Sequence, residues 1–267
     1  MSFFVLCLSI ASNALIFQFP SSIYYVGALW IAVVVRAVFY VGHGGPVSRV
    51  KIRMLAASFF VFLFGYLWWV VFIQADMARY AAALVASLVT AFGVRLLFLY
   101  KNGEISAASP MFNNFLGYMN ACSFFVITVA SLFAQGQFLP VDSWIVLYLV
   151  YYCVVALLSF FILQSYEGQR VIDAGNPALA LAAVWFYVGI AEIIVIQFSW
   201  VFGLLIIDYY LQAAFLFLVY YQIIGLLRQY IVFGAAGITV RVVYKYLIFF
   251  LMGLILLLAT FFSKYLI

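Results

Sequence analysis

Glu192 and Asp208 are two acids that fall inside long apolar runs of this 267-residue chain, each eight positions from Trp200. If the chain folds back on itself at Phe198-Ser199-Trp200, that symmetry brings the two carboxyls to one depth, on the order of 10 Å below a membrane surface. An ionised carboxylate in hydrocarbon costs several kcal/mol unless it is paired, protonated or hydrated. Two carboxyls facing each other repel, so one of them holds a proton, and the pair can serve as a proton relay, a cation site or an acid/base couple. Gln212 follows Asp208 by one helical turn and extends the polar patch. Arg79 opens another apolar run on the same side and offers a counter-charge. The competing reading rotates the two acids apart, so that each hydrogen-bonds locally, Asp208 with water at the rim or with Arg79.

A second polar line runs through Asn113, Gly117, Asn120, Thr128 and Ser131 at helical spacing. Small and polar residues on one stripe let helices approach and hydrogen-bond across the contact. Helix packing and a substrate path are both open for it. Ala82, Ala83, Ala86, Thr90 and Gly93 repeat the pattern with smaller side chains, which argues for packing alone. Gly42-His43-Gly44-Gly45-Pro46 holds the only histidine and leads into Arg49, Lys51 and Arg53. No G-K-[ST] follows, so a nucleotide loop is excluded, and the three cations are expected to contact anionic lipid headgroups.

What is missing removes whole classes of chemistry. One histidine cannot furnish a bis-His haem or a His-rich di-metal site. Lys245 and Lys264 bracket the last apolar run with no lysine between them, which speaks against a retinal protein. Walker A, H-E-x-x-H and G-x-S-x-G patterns are lacking. Cys7, Cys122 and Cys153 sit in apolar runs without a C-x-x-C, and are expected as small packing residues. No catalytic residue, metal ligand or cofactor is assigned.

The elements that must position these residues are membrane spans. The chain is 70% hydrophobic and 7% charged, with mean hydropathy +1.27, and its charges gather in short gaps between apolar runs of about 17 to 25 residues, each long enough for a roughly 30 Å hydrocarbon core. The fold class is therefore all-α, a polytopic transmembrane helix bundle forming a single integral membrane domain without a soluble part. Nine spans are predicted at 3–19, 23–41, 54–75, 78–100, 111–133, 143–164, 178–197, 201–227 and 244–262. The first is short and carries Asn13 and Gln18, so the count is eight or nine. The N-terminus lacks a basic region, and the first run is expected to be retained as a span.

Sorting the loops by side places Arg36, Arg49, Lys51, Arg53, Arg95, Lys101, Arg170, Arg228, Arg241 and Lys245 with the N-terminus, and only Arg79 and Lys264 opposite. Basic residues concentrate on the cytoplasmic side of membrane proteins. The N-terminus is thus expected in the cytoplasm and, with nine spans, the C-terminus outside, in a cytoplasmic (inner) membrane. Tyr24, Tyr25, Trp144, Trp200, Tyr230 and Tyr265 gather near the rims, as amphipathic rings do. The net charge of +5 is spread over several loops, which argues against nucleic acid.

The C-terminal third carries Ala191-Glu192 through Phe198-Ser199-Trp200, then Tyr220-Tyr221-Gln222-Ile223-Ile224-Gly225-Leu226-Leu227-Arg228-Gln229-Tyr230, then Ile238-Thr239-Val240-Arg241-Val242-Val243-Tyr244-Lys245. Over residues 190–250 this resembles a family of uncharacterised multi-span membrane proteins of genome-reduced candidate-phylum bacteria. The chain departs from that pattern in lacking a proline after Phe-Ser-Trp and an acid after Tyr230. The resemblance implies a fold and a topology, and no activity.

Three functional expectations follow. The first is a non-enzymatic envelope scaffold or subunit of a membrane assembly, with membrane-protein partners or a second copy of the chain, because no reactive constellation is present. The second is a small proton-coupled transporter or lipid-handling protein using Glu192 and Asp208. A lipid-modifying enzyme is the third, and it lacks a nucleophile beside the acids.

Overall fold

Backbone N–H and C=O groups in hydrocarbon must be satisfied within the chain, and a helix does this segment by segment. The computed structural model describes residues 2–22, 25–30, 32–33, 36, 46–70, 73, 76–102, 104, 109–137, 144–174, 177–204, 208–234 and 238–265. The fold is an all-α helical bundle, with no strand among the described residues. Its helices are α1 (Ser2–Gln18), α2 (Pro46–Val70), α3 (Asp76–Lys101), α4 (Pro110–Gln137), α5 (Trp144–Ala174), α6 (Pro177–Gly203), α7 (Tyr209–Phe233) and α8 (Val240–Tyr265). Residues 25–30 are helical as well. Proline opens α2, α4 and α6, where its missing N–H costs nothing and its fixed φ suits a helix.

Six stretches are long and apolar enough to cross a membrane: Arg79–Tyr100, Met111–Gly136, Trp144–Gln164, Ala182–Gly203, Tyr209–Phe233 and Val240–Ala259. Cys7–Gln18 and Ala57–Val70 are shorter apolar helical stretches. Two loops expected from polarity are largely helical. Residues 165–174 continue α5, and α2 already begins at Pro46. Glu, Gln and Arg are good helix formers, so polarity marks where a span leaves the bilayer better than where its helix ends.

The chain forms two compact units, Met1–Ala130 and Ser131–Ile267. In the first, α1 packs on α3 and α3 on α2. Buried Leu55, Phe59, Phe62, Tyr66 and Val70 recur at three- and four-residue steps on one face of α2. Ala83, Ala86 and Thr90 are buried on α3. A side chain at Gly93 would run into the Phe59 ring and come within 3.1 Å of Phe115. This is the close approach that small residues permit between membrane helices. Between α2 and α4, the Ser123 hydroxyl donates to the carbonyls of Ser58 (2.6 Å) and Met119 (2.7 Å).

In the second unit α5 packs on α6 and α7, α6 on α7, and α7 on α8. Val184, Val188, Ala191 and Val195 form the buried stripe of α6. Two ring pairs fix the antiparallel register of α6 and α7: Phe202 with Phe215 (5.0 Å) and Tyr187 with Tyr230 (5.9 Å). Gly234 ends α7 at φ 67°, its N–H donating to the Tyr230 carbonyl. No residue of the apolar stretch of α8 is fully buried, although Tyr246 and Phe249 lie against α7.

Candidate functional site

Glu192 lies on α6, seven residues after Trp185 and seven before Ser199, so the three share one helix face. Trp185 stacks on Phe160 of α5, with centroids 4.6 Å apart. Consecutive antiparallel helices then bring Glu192 level with Cys153 and its neighbour Tyr152. Side chains on a helix lean toward its N-terminus, so the Tyr152 hydroxyl is carried toward the end of α6 that holds Ser199. The register thus places Tyr152 of α5 at the level of Glu192 and Ser199 of α6, with no hydrogen bond among the three. Both carboxyl oxygens of Glu192 and the Ser199 Oγ are buried, with no hydrogen-bond partner among the described residues.

Tyr152 continues toward the α5 N-terminus. Its ring stacks on that of Tyr148, one turn earlier, at 6.1 Å and 13°. The Tyr148 hydroxyl accepts a 2.6 Å hydrogen bond from Gln135 Nε2 of α4. Toward the other end of α5 lie the Phe160–Trp185 stack and the buried Leu158 and Ile162. There Ser159 donates to the Tyr220 hydroxyl at 3.5 Å.

Asp208 does not join this site. The turn between the two helices lies after Gly203, not at Phe198-Ser199-Trp200, which stays helical. Without a proline or glycine, Phe198-Ser199-Trp200 gives the helix no reason to stop. Asp208 is the N-cap of α7, its carboxylate accepting from the Tyr210 N–H at 3.0 Å. Glu192 is eleven residues inside α6, so the two acids differ in level by on the order of 20 Å, and the expected equal depth is overturned. Gln212 stays one turn from Asp208, its N–H donating to the Asp208 carbonyl at 3.0 Å.

Arg79 belongs to the first unit. Its Nε and Nη2 donate to the Ile73 carbonyl at 3.0 and 2.6 Å, and its guanidinium lies 5.7 Å from the centre of the Phe17 ring. Of the polar stripe, Asn120 and Thr128 are buried and Asn113 is half-buried, while Thr128 turns its hydroxyl back to the Phe124 carbonyl at 2.7 Å. The side chains of Arg49, Lys51 and Arg53 lie outside the described residues, as does the His43 loop. Cys7 and Cys153 are exposed instead of packed inside their units, and Cys122 is half-buried.

No protein-family model, curated protein or solved structure matches the chain.

Two groups escaped the reading of the sequence. Tyr152 and Ser199 join Glu192 only through the register of α5 on α6. The heptad Trp185, Glu192, Ser199 was the available signal, hidden by placing Ser199 in a turn. In the first unit Asn13, which weakened the first predicted span, is buried in a network. Its Nδ2 donates to Ser87 Oγ (3.1 Å) and the Ala83 carbonyl (3.5 Å), its Oδ1 accepts from the Tyr66 hydroxyl (2.7 Å), and Ser9 donates to Ser87 (2.9 Å).

Proposed function

We propose that this chain is a multi-pass protein of a cytoplasmic membrane that couples proton binding at Glu192 to the movement of a small or lipid-like substrate. The observation that carries this reading is the Glu192 carboxyl itself, whose two oxygens are buried without a hydrogen-bond partner among the described residues. A carboxyl in such a place is completed by a proton or a cation, since the bare anion is costly. Asp208, as a helix cap, drops out of the pair first expected. In the same reading eight or nine spans cross the bilayer with the N-terminus in the cytoplasm. Arg49, Lys51 and Arg53 meet anionic headgroups, and the likeness over residues 190–250 reflects shared family membership.

Hydrophobic carbodiimides test the central point, because they add to protonated carboxyls in apolar surroundings and leave a stable N-acylurea. Treated proteoliposomes are expected to carry the adduct on Glu192 and not on Asp208, as read by peptide mass spectrometry. A pH gradient should drive proton uptake that Glu192→Gln abolishes. Labelling of Asp208 with Glu192 untouched would overturn the proposal.

A second reading, a scaffold or subunit of a membrane assembly, is favoured by α8, where Val240, Leu247, Ile248, Met252, Ile255 and Leu256 are exposed. Extraction in mild detergent should then return a complex or a homo-oligomer. A lone monomer removes its support.

A further inference from the structure

No acid follows Asp208 in the sequence, whereas Arg228, Arg241, Lys245 and Lys264 do. The first three gather at one end of the seam between α7 and α8. Two contacts fix the register of that seam. The rings of Tyr221 and Phe249 lie 5.1 Å apart, and a side chain at Gly225 would run into the Tyr246 ring. Arg228 follows Tyr221 by seven residues on the same face of α7, which brings it level with Val242, between Arg241 and Lys245. Lys245 and Arg241 stand four and eight residues before Phe249, in the row of α8 side chains that borders the seam. Both are exposed. The preference of basic residues for the cytoplasmic rim accounts for cations at this end. It does not account for three of them meeting at one seam, with no acid on either helix. Glu167 and Asp173, on the α5 extension at the same end, have side chains outside the described residues.

Beyond Lys245 the same face of α8 is aliphatic. Ile248, Met252, Ile255 and Leu256 follow at helical spacing, each more than half exposed. Leu256 is eleven residues on from Lys245, about 17 Å, which is the depth of one leaflet of a roughly 30 Å core. Helices that pack together in a membrane do so through small residues, and this stripe is bulky. Gly253, on the other flank, is already filled by Leu218 of α7, which comes within 2.7 Å of a Cβ built there. We infer that the α7–α8 seam binds an anionic phospholipid, its phosphate held by Arg241 and Lys245 with Arg228, and an acyl chain lying along Ile248, Met252, Ile255 and Leu256. This site is separate from Glu192 and stands or falls without it. A lipid there competes with an assembly partner for the same face of α8.

Met252→benzoylphenylalanine puts a photoreactive ring on the exposed stripe. The protein is irradiated in nanodiscs of equal phosphatidylglycerol and phosphatidylcholine, and the α8 peptide is read by mass spectrometry. Phosphatidylglycerol is expected on that peptide at least about fivefold over phosphatidylcholine. Arg241→Gln together with Lys245→Gln should bring the two lipids to equal capture, whereas Arg241→Lys with Lys245→Arg should keep the preference. Arg228→Gln is expected to lower it by less. Equal capture with all three cations in place would overturn the inference, as would an unchanged preference after both glutamine substitutions. Cross-linking to another protein chain in place of lipid would overturn it too, and would support the assembly reading. A melting curve identifies any variant that fails to fold, and if the double substitution does, Lys245→Gln alone decides.

Discussion

Two buried polar clusters, one in each unit, solve the same problem in opposite ways. Around Asn13 every bond has a partner: the amide and carbonyl reach Ser87, Ala83 and Tyr66, and Ser9 bonds to Ser87. All four side chains are at least nine-tenths buried. Around Glu192 the register of α5 on α6 sets a carboxyl, a tyrosine and a serine at neighbouring levels and leaves the carboxyl oxygens unbonded. A satisfied network fastens helices, because breaking one bond strands the others in a low-dielectric interior. An unsatisfied carboxyl holds nothing together in this form, and it persists where something else can occupy it. The contrast separates glue from a site more sharply than polarity alone, since Asn13 and Glu192 look equally out of place in the sequence.

The comparison breaks or sharpens through stability measurements in detergent or bicelles. Gly93→Leu should be the most damaging, by about 3 kcal/mol, because the new side chain must displace the buried Phe59 and Phe115 rings. Asn13→Ala is expected to cost about 2 kcal/mol by orphaning Tyr66 and Ser87. Adding Tyr66→Phe should recover part of that loss, and strict additivity of the pair would deny the network. Asp208→Ala should lower stability by about 1 kcal/mol, with Asp208→Asn nearly silent, as a helix cap requires. Glu192→Gln is expected to shift stability by less than about 0.5 kcal/mol while abolishing proton uptake. A large destabilisation there would make Glu192 glue after all.

The α-helical class and the apolar stretches near Arg79–Tyr100, Met111–Gly136 and Trp144–Gln164 were legible because span length follows from bilayer thickness. Helix ends were less so. Polarity stopped the predicted sixth span at Gln164, yet α5 runs to Ala174, since a helix leaving the membrane has no need to end there. The misplaced turn at Phe198–Trp200 had the larger consequence. Gly203 and a capping Asp208 were the correct stop and start signals, and they were masked by the continuous hydropathy across them.

Glu192 could be singled out from the sequence alone, because an acid within a long apolar run is conspicuous whatever surrounds it. Its partners could not. A helix face is set by a period of 3.6 residues, but which face meets which, and at what level, is decided by a few packed rings. The Phe160–Trp185 stack brings Tyr152 to the level of Glu192, and the Phe202–Phe215 and Tyr187–Tyr230 pairs carry Asp208 far from it. Composition is a sum over residues and survives any arrangement of them. Register belongs to contacts between distant segments, which exist only once the helices have packed.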